Sequence, residues 1–532
     1  MINSYFQPDV IIINANVITM DSSLPRAQAI AIKDGKILAM GKTSDINHIR
    51  GSNTKVLDCS QKTILPGFID AHAHVLSAGT RHVTEVDCSS ASIGEISKLL
   101  FSKAKVTPDG RWLLGFKFDD TKIVENRFLT HQDLDLISTR HPIVIAHQAG
   151  HVFFFNSAGL SMTGYNNESP DPHGGRLGRD PVTGDLNGQI FGTAMDPIRK
   201  NILPCPSEHD QRKGLDLITR MFLKRGVTSV HDAMVSNQDL RIYQESKNAG
   251  DLGLRIYMLM HKDHFPALRD SGIKTGFGDN KLRLGGIKLV ADGAIATRTA
   301  YLSDPYIGSC DHGVQNMYPD EIQAQVLDIH RAGFQVCIHS NGDATIDMVL
   351  KAYEKAQSSF PRADVRHRLE HCSLINPDLL ARIAALGCVV TPFSSYIYYH
   401  GEKMGFYGPE RLEWMFAQRS FIDNKINSTG ASDYPCSPPD PLIGIQSCVL
   451  REDTAGRVWG PSQRITVEEA LRLYTINGAY ASFDEQIKGS IEPGKLADIV
   501  ILDKDPTNVD THLIQDISIE MTIVGGKIVY EN

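Results

Sequence analysis

Eight short segments that alternate with helical patterns constrain the fold of this 532-residue chain more than any other feature. Most of them are apolar and bounded by Gly, Pro or polar residues, which is typical of buried strands joined by helices. Eight such units predict an α/β fold, the (β/α)8 TIM barrel. The segments span residues 65–75, 226–233, 254–260, 285–293, 334–342, 367–374, 387–393 and 426–435.

The two ends of the chain predict a second, smaller domain. Residues 1–64 and 481–532 contain short runs rich in β-branched residues, with Asp34-Gly35 and Gly525-Gly526 as turn signals. We predict that both ends join in one composite β-sandwich domain, and that residues 65–480 form the barrel.

The connection between the first two barrel segments predicts an inserted unit. It is about 150 residues long, far more than a structureless loop spans in a compact domain. Aromatic and Gly/Pro-rich stretches fill it, including NESPDPHGGRLGRDPVTGDLNG. We predict that residues of about 80–220 form an insertion after barrel strand 1 that caps the barrel mouth.

The composition is that of an ordinary globular protein, with 42% hydrophobic and 22% charged residues. A net charge of −8 without a basic block argues against nucleic acid as a partner. Nine scattered cysteines, an odd number, fit reduced thiols in a cytoplasmic protein. The N-terminal stretch MINSYFQPDVIIINANVITM has neither a basic n-region nor a long apolar core, so we expect no signal peptide and no membrane association.

The stretch LPGFIDAHAHV places His72 and His74 two residues apart in the first predicted barrel strand. Strand side chains alternate between faces, so both imidazoles share one face with Asp70. Two converging imidazoles can hold a metal ion, whereas a pair of half-exposed strand histidines is the plain structural alternative. The alternation alone leaves both interpretations open.

Further polar residues stand at the C-terminal ends of other predicted strands, where barrel enzymes carry their chemistry. A single His there is commonly a hydrogen-bonded core residue, and a single Asp is commonly a turn former. Lys288 lies in an apolar strand, and its structural alternative is a buried ion pair with Asp292. Considered together, these residues argue against the separate structural alternatives, because all of them are predicted to lie at one end of the barrel. They are His72, His74, Lys288, His339, His371 and Asp433.

Several motifs together resemble the amidohydrolase superfamily, specifically the amidohydrolase-3 group of YtcJ-like and N-substituted formamide deformylase-like proteins. LPGFIDAHAH is similar to the HxH signature of strand one, and KLVADGAIATRTA is similar to a strand-four motif KxxxDGxxxxRTA. HSNGDATID resembles the strand-five motif HxxGDxA, with Thr345 in place of Ala. EHCSL, GASDYP and the tail GSIEPGKLADIVILD also match, so the resemblance covers nearly the whole chain.

The resemblance implies a centre with two divalent metal ions, most commonly zinc. His72, His74 and Asp433 are the expected ligands of the more buried ion, and His339 and His371 those of the more exposed ion. Lys288, carboxylated by carbon dioxide, is expected to bridge them, because an unmodified lysine is a cation without an acceptor atom. A single-metal site with unmodified Lys288 remains an alternative.

The implied activity is hydrolysis of a carbon–nitrogen bond in a small amide, formamide or cyclic amide by a metal-activated hydroxide. Asp433 is expected to act as general acid and base. Four residues are candidates for substrate or oxyanion contacts, with a structural role as the alternative for each: His151, His231, Asp292 and Arg298. The resemblance also implies a homodimer.

Two other functions remain open at this stage. One is a mononuclear deaminase of a small heterocycle on the same fold. Such enzymes usually carry a Glu about three residues after the strand-five histidine, whereas Gly342 and Asp343 follow His339 here. The other is a catalytically silent binding relative, against which the complete set of six ligand-type residues argues.

Overall fold

Seven parallel strands form the central sheet of the protein, whose computed structural model describes residues 7–532. Each strand pairs with the next one along the chain, and nearly all of their residues are buried. Buried strands of this kind need apolar side chains on both faces, which explains their continuous Val, Ile and Leu content. We label them β1 Phe68–Ala73, β2 Val227–Val235, β3 Arg255–His261, β4 Leu282–Val290, β5 Gln335–Ser340, β6 Arg368–His371 and β7 Val389–Thr391.

The eighth predicted strand is formed only in part. Residues 426–433 lie between β7 and β1, where Ser428 forms one parallel bridge to Val390. The Ala71 N–H donates to the Gly430 carbonyl (3.0 Å), and the Asp433 N–H donates to the His72 carbonyl (2.9 Å). Asp433 has a left-handed backbone (φ 50°), which ends regular pairing. The segment nevertheless brings β7 and β1 together, so the sheet is nearly closed and TIM-barrel-like.

Helices alternate with the barrel strands, as the sequence pattern predicts. Pro319–Arg331 shows why they form: Pro319 fixes the first turn, acidic residues follow it, and Ile322, Val326 and Ile329 make one buried apolar stripe. The helices after β2 are Asn237–Ala249, Phe265–Asp270, Pro319–Arg331, Asp343–Ser359, Pro377–Ala385, Tyr396–His400, Pro409–Leu412, Gln418–Asp423, Pro441–Leu450, Val467–Leu473 and Ile476–Ala481.

Both ends of the chain contribute to one six-stranded sheet. Thr63–Pro66 from the N-terminal part pairs antiparallel with Ile499–Leu502 from the C-terminal part. The sheet is completed by Asn16–Ile18, Arg26–Ala27, Ile519–Val524 and Lys527–Glu531. A four-stranded sheet shares its apolar core and consists of Val10–Ile13, Ala29–Lys33, Lys36–Gly41 and Lys55–Asp58.

The long connection between β1 and β2 carries a sheet of its own. Two helices at its ends, Val75–Thr84 and Glu208–Leu223, pack on each other at Gly79 and Gly214, where a Cβ on Gly79 would meet the Gly214 carbonyl at 2.3 Å. Between them lies a six-stranded mixed sheet with its own apolar core. Its strands are Val86–Asp87, Leu113–Phe118, Ile143–His147, Val152–Phe155, Gly175–Arg179 and Leu186–Gly192, and its helices are Ile93–Ala104, His131–Asp135, Ser157–Met162 and Asp196–Asn201.

Candidate metal centre and cavity

A cluster of potential metal ligands lies where β1 meets the closing segment. The Nε2 atoms of His72 and His74 lie 3.6 Å and 3.4 Å from Oδ1 of Asp433. These three atoms are all within 4.8 Å of one another. Two imidazole nitrogens and a carboxylate oxygen are a donor set that divalent metal ions such as zinc accept.

Hydrogen bonds on the other ring nitrogens orient both imidazoles. His74 Nδ1 lies 3.1 Å from the Ala233 carbonyl, and His72 Nδ1 contacts the carboxylate of Glu370. Because both partners are acceptors, the protons are placed on Nδ1, and both Nε2 atoms carry a lone pair that faces Asp433. Asp433 Oδ1 is buried and has no hydrogen-bond partner among the described residues. The three donors therefore fit a metal ion.

Glu370 and Arg368 support this cluster, and sequence reasoning missed both. They lie in β6, are fully buried, and pair with an Nε–Oε1 distance of 2.6 Å. Arg368 also donates to the Ala71 carbonyl (2.6 Å), which ties the pair to β1. The available signal was the motif HRLEH, because two charged residues in a buried strand need partners.

Lys288 extends from β4 towards the same cluster. Its Nζ atom lies 3.4 Å from Nε2 of His72, and no carboxylate among the described residues lies within 4.0 Å of it. Burial lowers the pKa of Lys288. The alternative ion pair with Asp292 is wrong, because the Asp292 carboxylate instead accepts the backbone N–H groups of Asn341 (3.0 Å) and Gly342 (2.9 Å).

His339 and His371 stand beside His72, at the ends of β5 and β6. The His371 ring centroid is 4.4 Å from that of His339 and 4.9 Å from that of His72. His339 Nε2 lies 2.9 Å from the Gly293 carbonyl, an acceptor, which places the imidazole proton on Nε2. The Nδ1 atom of His339 then carries the lone pair that can bind a metal ion. The left-handed backbone of His371 (φ 69°), like that of Asp433, is a strained conformation of the kind found at functional sites.

Burial sets the protonation of the cluster. It holds the pKa values of His72, His339 and His371 well below 6.5, so these imidazoles are neutral. Burial alone would raise the pKa of Asp433, but the adjacent imidazoles of His74 and His72 and the nearby Lys288 lower it overall. Neutral imidazoles with a carboxylate anion are the forms that bind metal.

A cavity opens beside this cluster, and His339, His371 and Asp433 line it. The inserted unit contributes His147, Gln148, Ala149 and His151 to its wall. The His151 ring lies 4.8 Å from that of His339, and burial lowers the pKa of His151 to about 4. The remaining lining residues are Ala294, Ile295, Ala296, Asn341, Ser373, Phe393, Tyr396, His400, Lys403, Phe416 and Cys436.

The other three candidates for substrate contact do not line this cavity. His231 is fully buried in the barrel interior and accepts a hydrogen bond from Arg368 (2.9 Å). Asp292 is likewise buried, and its carboxylate accepts hydrogen bonds from the backbone N–H groups of the turn after β5. Arg298 is exposed and lies over the Phe406 ring at 4.8 Å. Of the four candidates, His151 lines the cavity beside the potential metal ligands, whereas Asp292 lies behind His339, with 3.6 Å between Asp292 Oδ1 and His339 Nε2.

A second polar cluster joins the inserted unit to the loop after β7. Asp119 Oδ2 lies 2.6 Å from Lys403 Nζ, and both side chains are buried. Asp120 Oδ1 lies 3.1 Å from His147 Nε2. Asp119, Asp120 and His147 also group their potential ligand atoms within 4.8 Å, but the Lys403 ammonium already neutralises Asp119. Sequence reasoning missed this cluster, because its members come from segments about 280 residues apart.

A TIM-like barrel that carries neutral imidazoles and a carboxylate at its strand ends defines the class of metal-dependent hydrolases. The Amidohydrolase family model matches residues 55–530, and the chain belongs to that family.

Known proteins of similar sequence and structure agree with this assignment. The chain is 31% identical to N-substituted formamide deformylase of Arthrobacter pascens over 98% of both chains. It is 28% identical to YtcJ of Bacillus subtilis strain 168, an amidohydrolase by name, over 97% of this chain and 98% of that one. An uncharacterized metal-dependent hydrolase from Pyrococcus furiosus superposes with a TM-score of 0.73 at 26% identity, covering 94% and 100% of the chains.

Among residues 7–532, no helix combines the length and apolar character needed to cross a bilayer.

Proposed function

We propose that this hydrolase cleaves the carbon–nitrogen bond of a small amide, formamide or cyclic amide. One observation carries the proposal: the Nε2 atoms of His72 and His74 converge on Oδ1 of Asp433 beside the cavity, and this oxygen has no hydrogen-bond partner among the described residues. The name of the Arthrobacter pascens relative, which is similar over nearly its whole length, favours N-substituted formamides within this class.

Six residues are proposed to hold the metal. His72, His74 and Asp433 would hold one ion, and His339 and His371 would hold a second. Lys288, if carboxylated by carbon dioxide, would supply an anionic ligand to both. The position of its Nζ beside His72 Nε2, with no carboxylate of residues 7–532 within 4.0 Å, supports this role. A single zinc ion on His72, His74 and Asp433 is the simpler alternative.

Asp433 is proposed to move the proton. When bound, the metal supplies Lewis acidity towards a carbonyl oxygen and lowers the pKa of water towards about 7. Asp433 is anionic, and its Oδ1 has no hydrogen-bond partner among the described residues, so it can accept a proton from the attacking water. The same oxygen then returns the proton to the leaving nitrogen. His151, next to His339, is suited to contact the substrate carbonyl oxygen.

Metal analysis tests the centre. Purified wild type, Lys288→Ala and the control Lys281→Ala are compared with bicarbonate present; Lys281 donates to the Gly253 carbonyl away from the cluster. About two equivalents of metal in wild type and control, falling sharply in Lys288→Ala, support the bridged pair. About one equivalent in all three favours the single-ion alternative and rejects the carboxylated lysine.

The reaction is tested with N-acyl, N-formyl and cyclic amides, with release of amine or acid as the readout. Turnover that disappears in Asp433→Asn supports the proposed function. Absence of metal in the wild type after zinc addition, or absence of turnover of every amide by the metal-loaded protein, overturns it.

A further inference from the structure

The cavity wall formed by the loop after β7 carries a hydrogen-bonding group that the proposed hydrolysis does not use. Tyr396 lines the cavity, and its ring is fixed on both sides. It stacks on Phe416 with centroids 4.6 Å apart, and it meets Phe393 edge to face at 5.4 Å. Held in this way, the ring presents its hydroxyl at one place.

The Tyr396 hydroxyl is buried and has no hydrogen-bond partner among the described residues. A buried polar group without a partner costs about 1–3 kcal/mol, so such groups are rare and call for a physical reason. Burial raises the pKa of Tyr396 well above 10, which keeps the hydroxyl protonated and able to donate. Because Tyr396 lines the cavity, a ligand that enters the cavity can supply the missing partner.

The charges around Tyr396 decide which ligand atom fits. Lys403, on the same wall, is paired with Asp119, so its positive charge is balanced. Its ammonium also lies 3.5 Å from His400 Nδ1. Asp120 adds a second buried carboxylate close to Asp119. This part of the cavity wall therefore offers the Tyr396 hydroxyl as a hydrogen-bond donor but has no excess positive charge. Burial of an anionic ligand group there would be unfavourable, because no unpaired cation balances it.

We propose that Tyr396 is a specificity-determining residue that binds a neutral hydroxyl, ether or carbonyl oxygen at the end of an aromatic or apolar substituent of the amide substrate. The inference rests on the proposed function, because it takes the reacting amide to lie at Asp433. The neighbouring rings of Phe393 and Phe416 accommodate the apolar part of the substituent, and the Tyr396 hydroxyl selects its polar end.

Three formamides test the proposal: N-(2-phenylethyl)formamide, its 4-hydroxyphenyl analogue and its 4-carboxyphenyl analogue. In wild type, kcat/KM for the 4-hydroxyphenyl compound is expected to exceed that for the phenyl compound about tenfold, the value of one net hydrogen bond. In Tyr396→Phe this ratio falls to near one. Tyr398→Phe, on the same helix but outside the cavity lining, keeps the wild-type ratio.

A binding measurement separates this proposal from the proposed function. The dissociation constants of the same compounds are measured by calorimetry on full-length Asp433→Asn, with and without Tyr396→Phe. Tighter binding of the 4-hydroxyphenyl compound than of the phenyl compound, lost in the Tyr396→Phe variant, supports the subsite. If the wild type shows this binding preference but does not turn over any of the compounds, the formamide reaction is rejected and the subsite is retained. Turnover with equal efficiency for the phenyl and 4-hydroxyphenyl compounds, or a preference for the carboxylate, overturns the subsite.

Discussion

Glu370 accepts a hydrogen bond from Nδ1 of His72 across 298 residues of chain. The contact joins β6 to β1 at the centre of the barrel, and Arg368 holds the carboxylate from its other side. A carboxylate on the second nitrogen of a histidine fixes the ring and its tautomer and raises the basicity of the free nitrogen. We therefore infer that Glu370 positions His72 in the proposed metal centre.

Glu370→Gln is expected to weaken metal binding about 10- to 100-fold, the usual effect of losing such a partner. The amide keeps a similar volume but lacks the negative charge that orients His72. Competition between the protein and a chromophoric zinc chelator measures the affinity. Glu354→Gln, which changes a partly exposed ion pair with Arg382, is the control and keeps wild-type affinity. Equal affinities of Glu370→Gln and wild type would contradict the positioning role.

The buried pair of Asp119 and Lys403 predicts a large loss of stability when only one partner is removed. Lys403→Met leaves the Asp119 carboxylate buried without its cation, and such changes cost about 3–5 kcal/mol. Urea unfolding monitored by fluorescence measures the free energy of unfolding.

The double variant Lys403→Met with Asp119→Asn removes the stranded charge and is expected to recover much of that loss. If the double variant is as unstable as the sum of the two single variants, the two residues are not coupled, and the ion pair does not connect the inserted unit to the loop after β7.

Local sequence pattern was enough to predict that the potential metal ligands lie together, because its key signal is short in range. The period of two in β1 places His72 and His74 on one face, and strand ends meet at one rim of a barrel. Glu370 and Lys403 escaped prediction because their partners, His72 and Asp119, are brought to them only by the closed fold. The eighth strand was overpredicted, because nothing in the sequence reveals that Asp433 adopts a left-handed backbone.

Acidification is expected to destabilise the fold through His367, which lies away from the metal cluster. The Val336 N–H donates to its Nδ1 (3.0 Å), and its Nε2 lies 2.9 Å from Nδ1 of His330. Burial, followed by the charges of His330 and Arg362, holds the pKa of His367 well below 6.5. Folded His367 therefore stays neutral, while in the unfolded chain it binds a proton near pH 6.5.

Neutral, buried His367 therefore contributes to the free energy of unfolding, because the unfolded state binds more protons than the folded state. The contribution is complete above pH 6.5. As the pH falls below 6.5, the free energy of unfolding decreases by about 1.4 kcal/mol per pH unit. Urea unfolding at pH 7.5, 6.5 and 5.5 gives the slope, to which other buried histidines also contribute. In His367→Gln the slope decreases by about one proton, whereas exposed His209→Gln retains the wild-type slope. An unchanged slope in His367→Gln would show that His367 does not contribute.

Removal of metal provides the most direct check of which cluster binds it. An ion that binds only the folded protein stabilises it by about 2.7 kcal/mol at a concentration 100 times its dissociation constant. Thermal unfolding with a chelator and then with excess zinc should therefore show a clear difference in the wild type. Asp433→Ala loses a ligand and is expected to lose that difference. Asp120→Asn, in the cluster already neutralised by Lys403, is expected to keep it. The reverse pattern would place the metal between the inserted unit and the loop after β7.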